Sequence, residues 1–339
     1  SAASYGGGVD NITGPIAVIG CIISNNTAAS GGAGLMLQTS QTNTVTGCTF
    51  YGNGSVEAVL IYASAVAQIK NCSFFNNEGR ALAGDYAPIV SNCVFIGNRG
   101  GGIALTYASL IVDCSFISNR VSGNGGGFVL AANQIADRCV VLHNYATLSG
   151  GGVHMSGGIA RNLLIAGNEV GSSGYGGGIR AITSAKAQIE NCSIVGNKAA
   201  SSSRGGGIFF QNSGAAVTNC IVTYNIDGGT SSNYFEFTGG AMLFAYSSTM
   251  PAPSGGADGG NNLALNPLFM NTGSGFGTNY IPGDLTLQGE SSCKNSGTNL
   301  EWMTLALDLG RKPRIIGNRV DRGAYELLQN LSGILIQVQ

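Results

Sequence analysis

The chain has 339 residues, 55 of them Gly, with only 10% charged residues and a formal net charge of −1. A chain this poor in charge and rich in apolar residues is not disordered, and Gly without a three-residue period is not collagen. No basic stripe supports nucleic-acid binding, and no run approaches the ~18 apolar residues of a membrane-spanning helix.

Nothing at Ser1 has the layout of a signal peptide. The text opens on Gly6-Gly7-Gly8-Val9, as a mature or trimmed fragment would. One phrase then recurs nine times: Cys, any residue, a large apolar residue, two more residues, Asn. Its copies start at Cys21, Cys48, Cys72, Cys93, Cys114, Cys139, Leu163, Cys192 and Cys220, spaced 27, 24, 21, 21, 25, 24, 29 and 28 apart. The closing residues are Asn26, Asn53, Asn77, Asn98, Asn119, Asn144, Asn168, Asn197 and Asn225. The apolar residue two past each start is Ile23, Phe50, Phe74, Phe95, Phe116, Val141, Ile165, Ile194 or Val222. A period of this size marks a repeat architecture.

Two further positions keep step with the phrase. An apolar residue stands three before the start, as at Val45, Ile69, Val90, Ile111, Ile189 and Val217. Glycine runs lead into another apolar stretch, as at Gly100-Gly101-Gly102-Ile103 and Gly205-Gly206-Gly207-Ile208. Short apolar alternation broken by Asn and Gly is strand–turn–strand text, and no window carries a capped helical period. Each repeat therefore predicts three short strands. One repeat cannot bury its apolar face alone, but stacked repeats can. The expected fold is all-β: a parallel β-helix of about nine or more rungs over residues 1–240, roughly 40 Å tall. The crossover preference favours a right-handed coil. Residues 241–339 break the period, hold five of the seven Pro, and end in a predicted strand from Leu331 to Val338. They are expected to form an irregular C-terminal cap packed on the stack, because an open solenoid end is an aggregation edge.

On stacked rungs the Cys column (Cys48, Cys72, Cys93, Cys114, Cys139, Cys192 and Cys220) reads as interior filling, and the Asn column as a hydrogen-bonded ladder. With no Cys-x-x-Cys and only His143 and His154 to assist, no metal site is expected. Cys293, outside the array, is expected to be the one accessible thiol.

The array resembles the right-handed parallel β-helices of the pectate-lyase-like superfold. More narrowly it is similar to polymorphic outer-membrane-protein repeats, which pair Phe-x-x-Asn with Gly-Gly-[Ala/Gly]-Ile. Phe74-Phe75-Asn76-Asn77, Phe95-Ile96-Gly97-Asn98 and Phe116-Ile117-Ser118-Asn119 carry the first element. Gly100 to Ile103 and Gly205 to Ile208 carry the second. The tail resembles the choice-of-anchor Q module of bacterial surface β-helix proteins. It carries Gly260-Asn261-Asn262, Asn266-Pro267-Leu268-Phe269, Gly283-Asp284-Leu285-Thr286-Leu287, Pro313-Arg314 and Val320-Asp321-Arg322-Gly323-Ala324-Tyr325-Glu326. It departs from that module at Asn266 and around Ser291 to Ser296, where Asp is usual. The resemblance implies an exported, extracellular or cell-surface bacterial protein and transfers no single activity.

By the same resemblance, a β-helix enzyme would cut polysaccharide with clustered carboxylates, with Ca2+ and a Lys or Arg base, or with His and Arg. Stacking the rungs places Asp113 beside Arg138, and Asp137, Arg161 and Glu190 in one line. A second line holds Glu78, Arg99, Arg120, Tyr145, Glu169 and Lys198. Alternating signs read as surface ion pairing, with Arg99 and Arg120 together a candidate anion contact. His154 and Arg180 share an offset after the glycines and are the candidate catalytic pair. Tyr62, Tyr86 and Tyr107, each 14 past its Cys, are candidate sugar-stacking residues. No carboxylate pair shares a register; Asp85 and Asp113 come nearest.

Two function classes follow. The first is a non-catalytic surface protein that binds glycan, adheres or builds structure, without a cofactor. Self-association through an uncapped helix end belongs to this class. The second is a polysaccharide lyase or glycoside hydrolase acting on an acidic polymer, with Ca2+ its candidate cofactor.

Overall fold

The computed structural model describes residues 3–62, 66–86, 88–182, 186–211, 214–237 and 242–328. The Leu331 to Val338 segment lies outside the described residues. Three ten-stranded sheets run the length of the molecule. The leading sheet holds the strands just before each phrase, from Ala17–Ile19 to Leu243–Ala245. The middle sheet holds the phrase itself, from Ile22–Ser24 to Ser248–Thr249. The trailing sheet follows the glycines, from Val9–Asn11 to Tyr234–Phe237. A rung here means one leading, middle and trailing strand, numbered by its copy of the phrase. A narrow fourth sheet of six strands, from Arg120–Val121 to Thr230–Ser231, lies just after the Asn ladder.

Register along each long sheet follows the repeat. Phe50, Phe74, Phe95, Phe116, Val141, Ile165, Ile194 and Val222 pair in sequence. Their rings stack inside the coil, with centroids 4.9, 4.6 and 4.8 Å apart from Phe50 to Phe116. These distances match the spacing between paired strands, so the Phe of rungs two to five stack one on the next inside the coil.

Two single-residue corners bracket each middle strand, and both need positive φ. The corner before the Cys is Gly20, Gly47, Asn71, Asn92, Asp113, Arg138, Asn162, Asn191 or Asn219. The corner before the ladder Asn is Asn25, Gly52, Asn76, Gly97, Ser118, His143, Gly167, Gly196 or Tyr224. Gly and Asn dominate because they tolerate the left-handed region.

The Cys column does more than fill space. The Cys48 N–H points at Cys72 Sγ at 3.4 Å, while Cys72 Sγ lies 3.2 Å from the Lys70 carbonyl and 3.5 Å from that of Val45. The thiol thus satisfies backbone groups that the corner would leave orphaned. Ser247 confirms the role in the tenth rung. Its Oγ accepts from Cys220 N at 3.1 Å and lies 3.2 Å from Val217 O.

Two expectations change. The sheets pass the expected boundary at residue 240: Leu243–Ala245 and Ser248–Thr249 add a tenth rung to the leading and middle sheets. Parallel bridges from Phe244 to Asp258 and Ser248 to Leu263 then start another layer. The thiol expectation is reversed. Cys293 is buried and Cys21 exposed. Cys21 sits on the first rung, beneath which the described residues add no strand to the middle sheet, whereas Cys293 belongs to the buried cluster with Ile221, Phe269 and Leu287.

The tail covers the upper end but mostly runs back along the outer face of the middle sheet. Phe269, Tyr280, Leu285, Leu287 and Cys293 pack on Ala166, Val195 and Ile221, with Leu142 and Leu164 at the rim. Polar clasps fix this seat: Gly277 N donates to Gly196 O at 2.8 Å, Gly323 N to Asn219 O at 2.7 Å, and Ala324 N to Ser193 Oγ at 3.0 Å. Arg322 reaches the upper end, donating to Ser247 O at 2.7 Å and Asn261 O at 2.8 Å. Inside the tail, Arg314 is fully buried. It lies 3.1 Å from Glu326 Oε1 and donates to the carbonyls of Asp321 and Gly323. The Pro313-Arg314 step and the Val320 to Glu326 phrase are therefore the tail's own polar core.

Candidate functional site

The outer face of the trailing sheet carries one continuous line: Met36, Leu60, Ala83, Ala104, Val129, His154, Arg180, Phe209, Phe235. Strand alternation points every second residue outward, and glycine triplets fix the starting register before the strands at Ile103, Phe128, Val153, Ile179 and Ile208. His154 and Arg180 are direct neighbours in this line. His154 is only 6% exposed and its Nδ1 has no partner. Burial, aided by the Arg180 charge, pushes its pKa down to about 4, so the ring is neutral at pH 7. Arg180 spans three rungs, donating through Nη1 to Ser149 Oγ and through Nη2 to Gln211 Oε1. The pair is thus a neutral, covered imidazole beside a tethered guanidinium.

Beyond Arg180 the line turns aromatic. The Tyr175 ring lies 4.6 Å from Phe209, and Phe209 lies 5.8 Å from Phe235 and 6.3 Å from Phe237. Two guanidinium groups face Tyr175: Arg204 at 4.1 Å and Arg180 at 5.3 Å from the ring centroid. Tyr175, Arg180, Phe209, Gln211 and Phe237 line a notch of about 90 Å³. The sequence reading missed this cluster. The signal was present, since Phe209, Phe235 and Phe237 share an alternation phase. It was hidden because the ninth rung has no glycine triplet to anchor the count.

The three tyrosines do not form one line. Val59 pairs with Leu82, and Leu82 with Ile103, so the second rung carries one extra residue between its Asn and its trailing strand. Tyr62 directly follows Ile61, whereas Tyr86 and Tyr107 stand two past Gly84 and Leu105. Tyr86 and Tyr107 lie 5.1 Å apart, and Tyr62 instead stacks on Tyr5 at 6.4 Å. All three are exposed.

The charged lines assemble as the stacking implies, and each cation in them has a companion. Arg99 lies 3.1 Å from Glu78, Arg120 lies 3.9 Å over the Tyr145 ring, and Lys198 lies 2.9 Å from Glu169. At the corner between leading and middle sheets, Arg138 forms a two-pronged pair with Asp113 at 2.8 and 3.2 Å. Arg161 Nε lies 3.2 Å from Asp137, which is also 3.2 Å from Arg138. Pairing on this corner offsets the strain of Arg138 in a left-handed backbone. The tail then covers the line, placing Trp302 4.5 Å over Arg161 and Arg311 3.2 Å from Asp113. Burial raises the Glu190 carboxyl pKa. Asp85 is spent elsewhere, accepting from Thr106 at 3.1 Å.

Among the described residues, no helix is long and apolar enough to cross a membrane. No curated protein matches the chain. Residues 8–170, just under half of the chain, match the family model of a right handed beta helix region. Together with the parallel register of the three long sheets, that match gives the coil its hand: the protein is a right-handed parallel β-helix.

Proposed function

We propose that this chain is an exported bacterial cell-surface β-helix that works without catalysis, as a glycan-binding, adhesive or structural element. The observation that carries the reading is the condition of His154 and Arg180. A base must reach its proton and be matched to the working pH. His154 is covered and held neutral down to about pH 4, and its neighbour is occupied by Ser149 and Gln211. Export is supported by the tail's likeness to a module of bacterial surface proteins. Among the described residues, the exposure of Ile19 and Ile22 on the first rung, 66% and 78%, supports self-association. Concentration-dependent light scattering tests it, and a monodisperse monomer at high concentration would count against it.

The catalytic alternative is a lyase or hydrolase of an acidic polysaccharide with His154 as base and Arg180 as neutraliser, and Ca2+ belongs only to that reading. Incubation with a panel of uronic-acid polymers separates the two. The non-catalytic reading expects neither unsaturated oligosaccharides nor new reducing ends, with or without Ca2+. Products that disappear in His154→Ala and Arg180→Ala would establish the alternative.

A further inference from the structure

We infer that the notch on the trailing sheet between Tyr175 and Phe237 is a binding site for an anionic saccharide, one bearing a carboxylate or a sulfate. The inference rests on the glycan-binding form of the proposed function and gives it a location and a ligand charge. Its first support is shape. Phe237 is 49% exposed at the rim, while Tyr175 and Phe209 form a wall and floor fixed by the sheet. Tyr175 is locked by backbone bonds to rung six, its N–H donating to Leu148 O at 3.0 Å and its carbonyl accepting from Gly150 N at 2.9 Å. Phe237 and the half-buried Tyr175, backed by the buried Phe209, present the aromatic surface on which the C–H face of a sugar ring packs at low ordering cost.

Its second support is charge. Arg204 has no carboxylate partner among the described residues; its guanidinium is held only over the Tyr175 ring. The backbone that carries it is anchored by Asp227, whose Oδ2 accepts from the N–H groups of Arg204 and Gly205 at 3.1 and 3.2 Å. Asp227 therefore positions Arg204 without competing for its side chain. Glu236, the other nearby acid, alternates with Phe235 and Phe237 and pairs in register with the interior-facing Phe210, so it belongs to the opposite face. Arg180 adds a second positive charge and a buried Nε that has no acceptor. Gln211 accepts from Arg180 through Oε1, which leaves its amide nitrogen to donate to a hydroxyl. Aromatic walls, two cations and a free amide donor match an acidic sugar better than a neutral one.

The test titrates the intact chain with polygalacturonate oligomers, dextran sulfate and neutral dextran by calorimetry. Binding to one or both acidic polymers and none to dextran is expected, and comparing the two acidic arms identifies carboxylate or sulfate. Loss of one charge-assisted contact in Arg204→Ala, or of the rim in Phe237→Ala, weakens that binding by about tenfold or more. Tyr51→Ala, an exposed aromatic on the middle sheet and distant along the stack, leaves it unchanged. Both site variants alter surface side chains, and an unchanged melting curve verifies their folding. Full binding in both site variants sinks this site but leaves the glycan reading standing, as does equal binding to dextran. Failure to bind any of the three polymers sinks both.

Discussion

His154 has no acceptor or donor for Nδ1, and its pKa is depressed from about 6.5 in an unfolded chain to about 4 in the fold. A group with a depressed folded pKa binds protons more readily when unfolded. Its contribution is therefore fully present above pH 6.5 and lost as the pH falls toward 4, at about 1.4 kcal/mol per pH unit. Urea midpoints of the native chain and of His154→Leu should diverge from a common trend below pH 6.5, with the variant the flatter of the two. Identical slopes would show that the imidazole is not the titrating group. The cysteines carry a second single-residue prediction. A thiol reagent should modify Cys21 quickly in the folded state, and Cys21→Ser should abolish the fast phase. Rapid labelling of several cysteines would contradict the buried column. Counting along the sequence found that column but chose the wrong odd member. It treated all copies of the phrase as equivalent, yet the first has a neighbour on only one side.

At the scale of the repeated element, the Asn ladder is held from both ends of each amide. Asn119 Nδ2 donates to Phe95 O at 2.9 Å and Asn144 Oδ1 at 3.0 Å, while its Oδ1 accepts from Asn98 N and Nδ2 at 3.0 and 2.8 Å. Every one of these groups is buried. Asn119→Ala should cost about 2–4 kcal/mol, since it leaves buried backbone groups of the neighbouring rungs without partners. A thermal midpoint within error of the parent would refute a load on the ladder. This element was legible because a ladder demands the same residue on every rung, and repetition is visible in sequence. The corners were legible where Gly or Asn fills them. They were not where Arg138 and His143 do, because their left-handed backbones are held by tertiary partners: Asp113 for the first, and for the second the Tyr280 carbonyl 2.7 Å from Nε2. The tyrosine line failed for a smaller reason. One inserted residue in the second rung moves Tyr62 out of phase, and a period-2 strand forgives no such slip.

For the whole molecule, the deciding contact is between array and tail. Burial pushes the Glu326 carboxyl up to about 8, with the Arg314 guanidinium pulling the other way. Arg314 also donates to the carbonyls of Asp321 and Gly323, and Arg314→Ala leaves these buried acceptors unpaired, so it should destabilise the tail by about 2–4 kcal/mol. The readout is proteolysis: cleavage beyond residue 250 should accelerate while the β-sheet circular dichroism of the array persists. Unchanged cleavage would mean that the tail does not depend on that pair. The lengthwise seat of the tail was invisible in the sequence, since its partners Ala166, Val195 and Ile221 look like ordinary outward positions of three separate repeats. That seat makes the molecule mechanically uneven. Among the described residues the middle sheet is double-walled from rung six upward and single-walled lower down, with Ile22 and Tyr51 facing solvent. In a stack whose cooperativity passes only between neighbours, a pulling force or rising temperature would peel the single-walled rungs first. Amide exchange should therefore slow progressively along the axis, from Ile23 toward Val222.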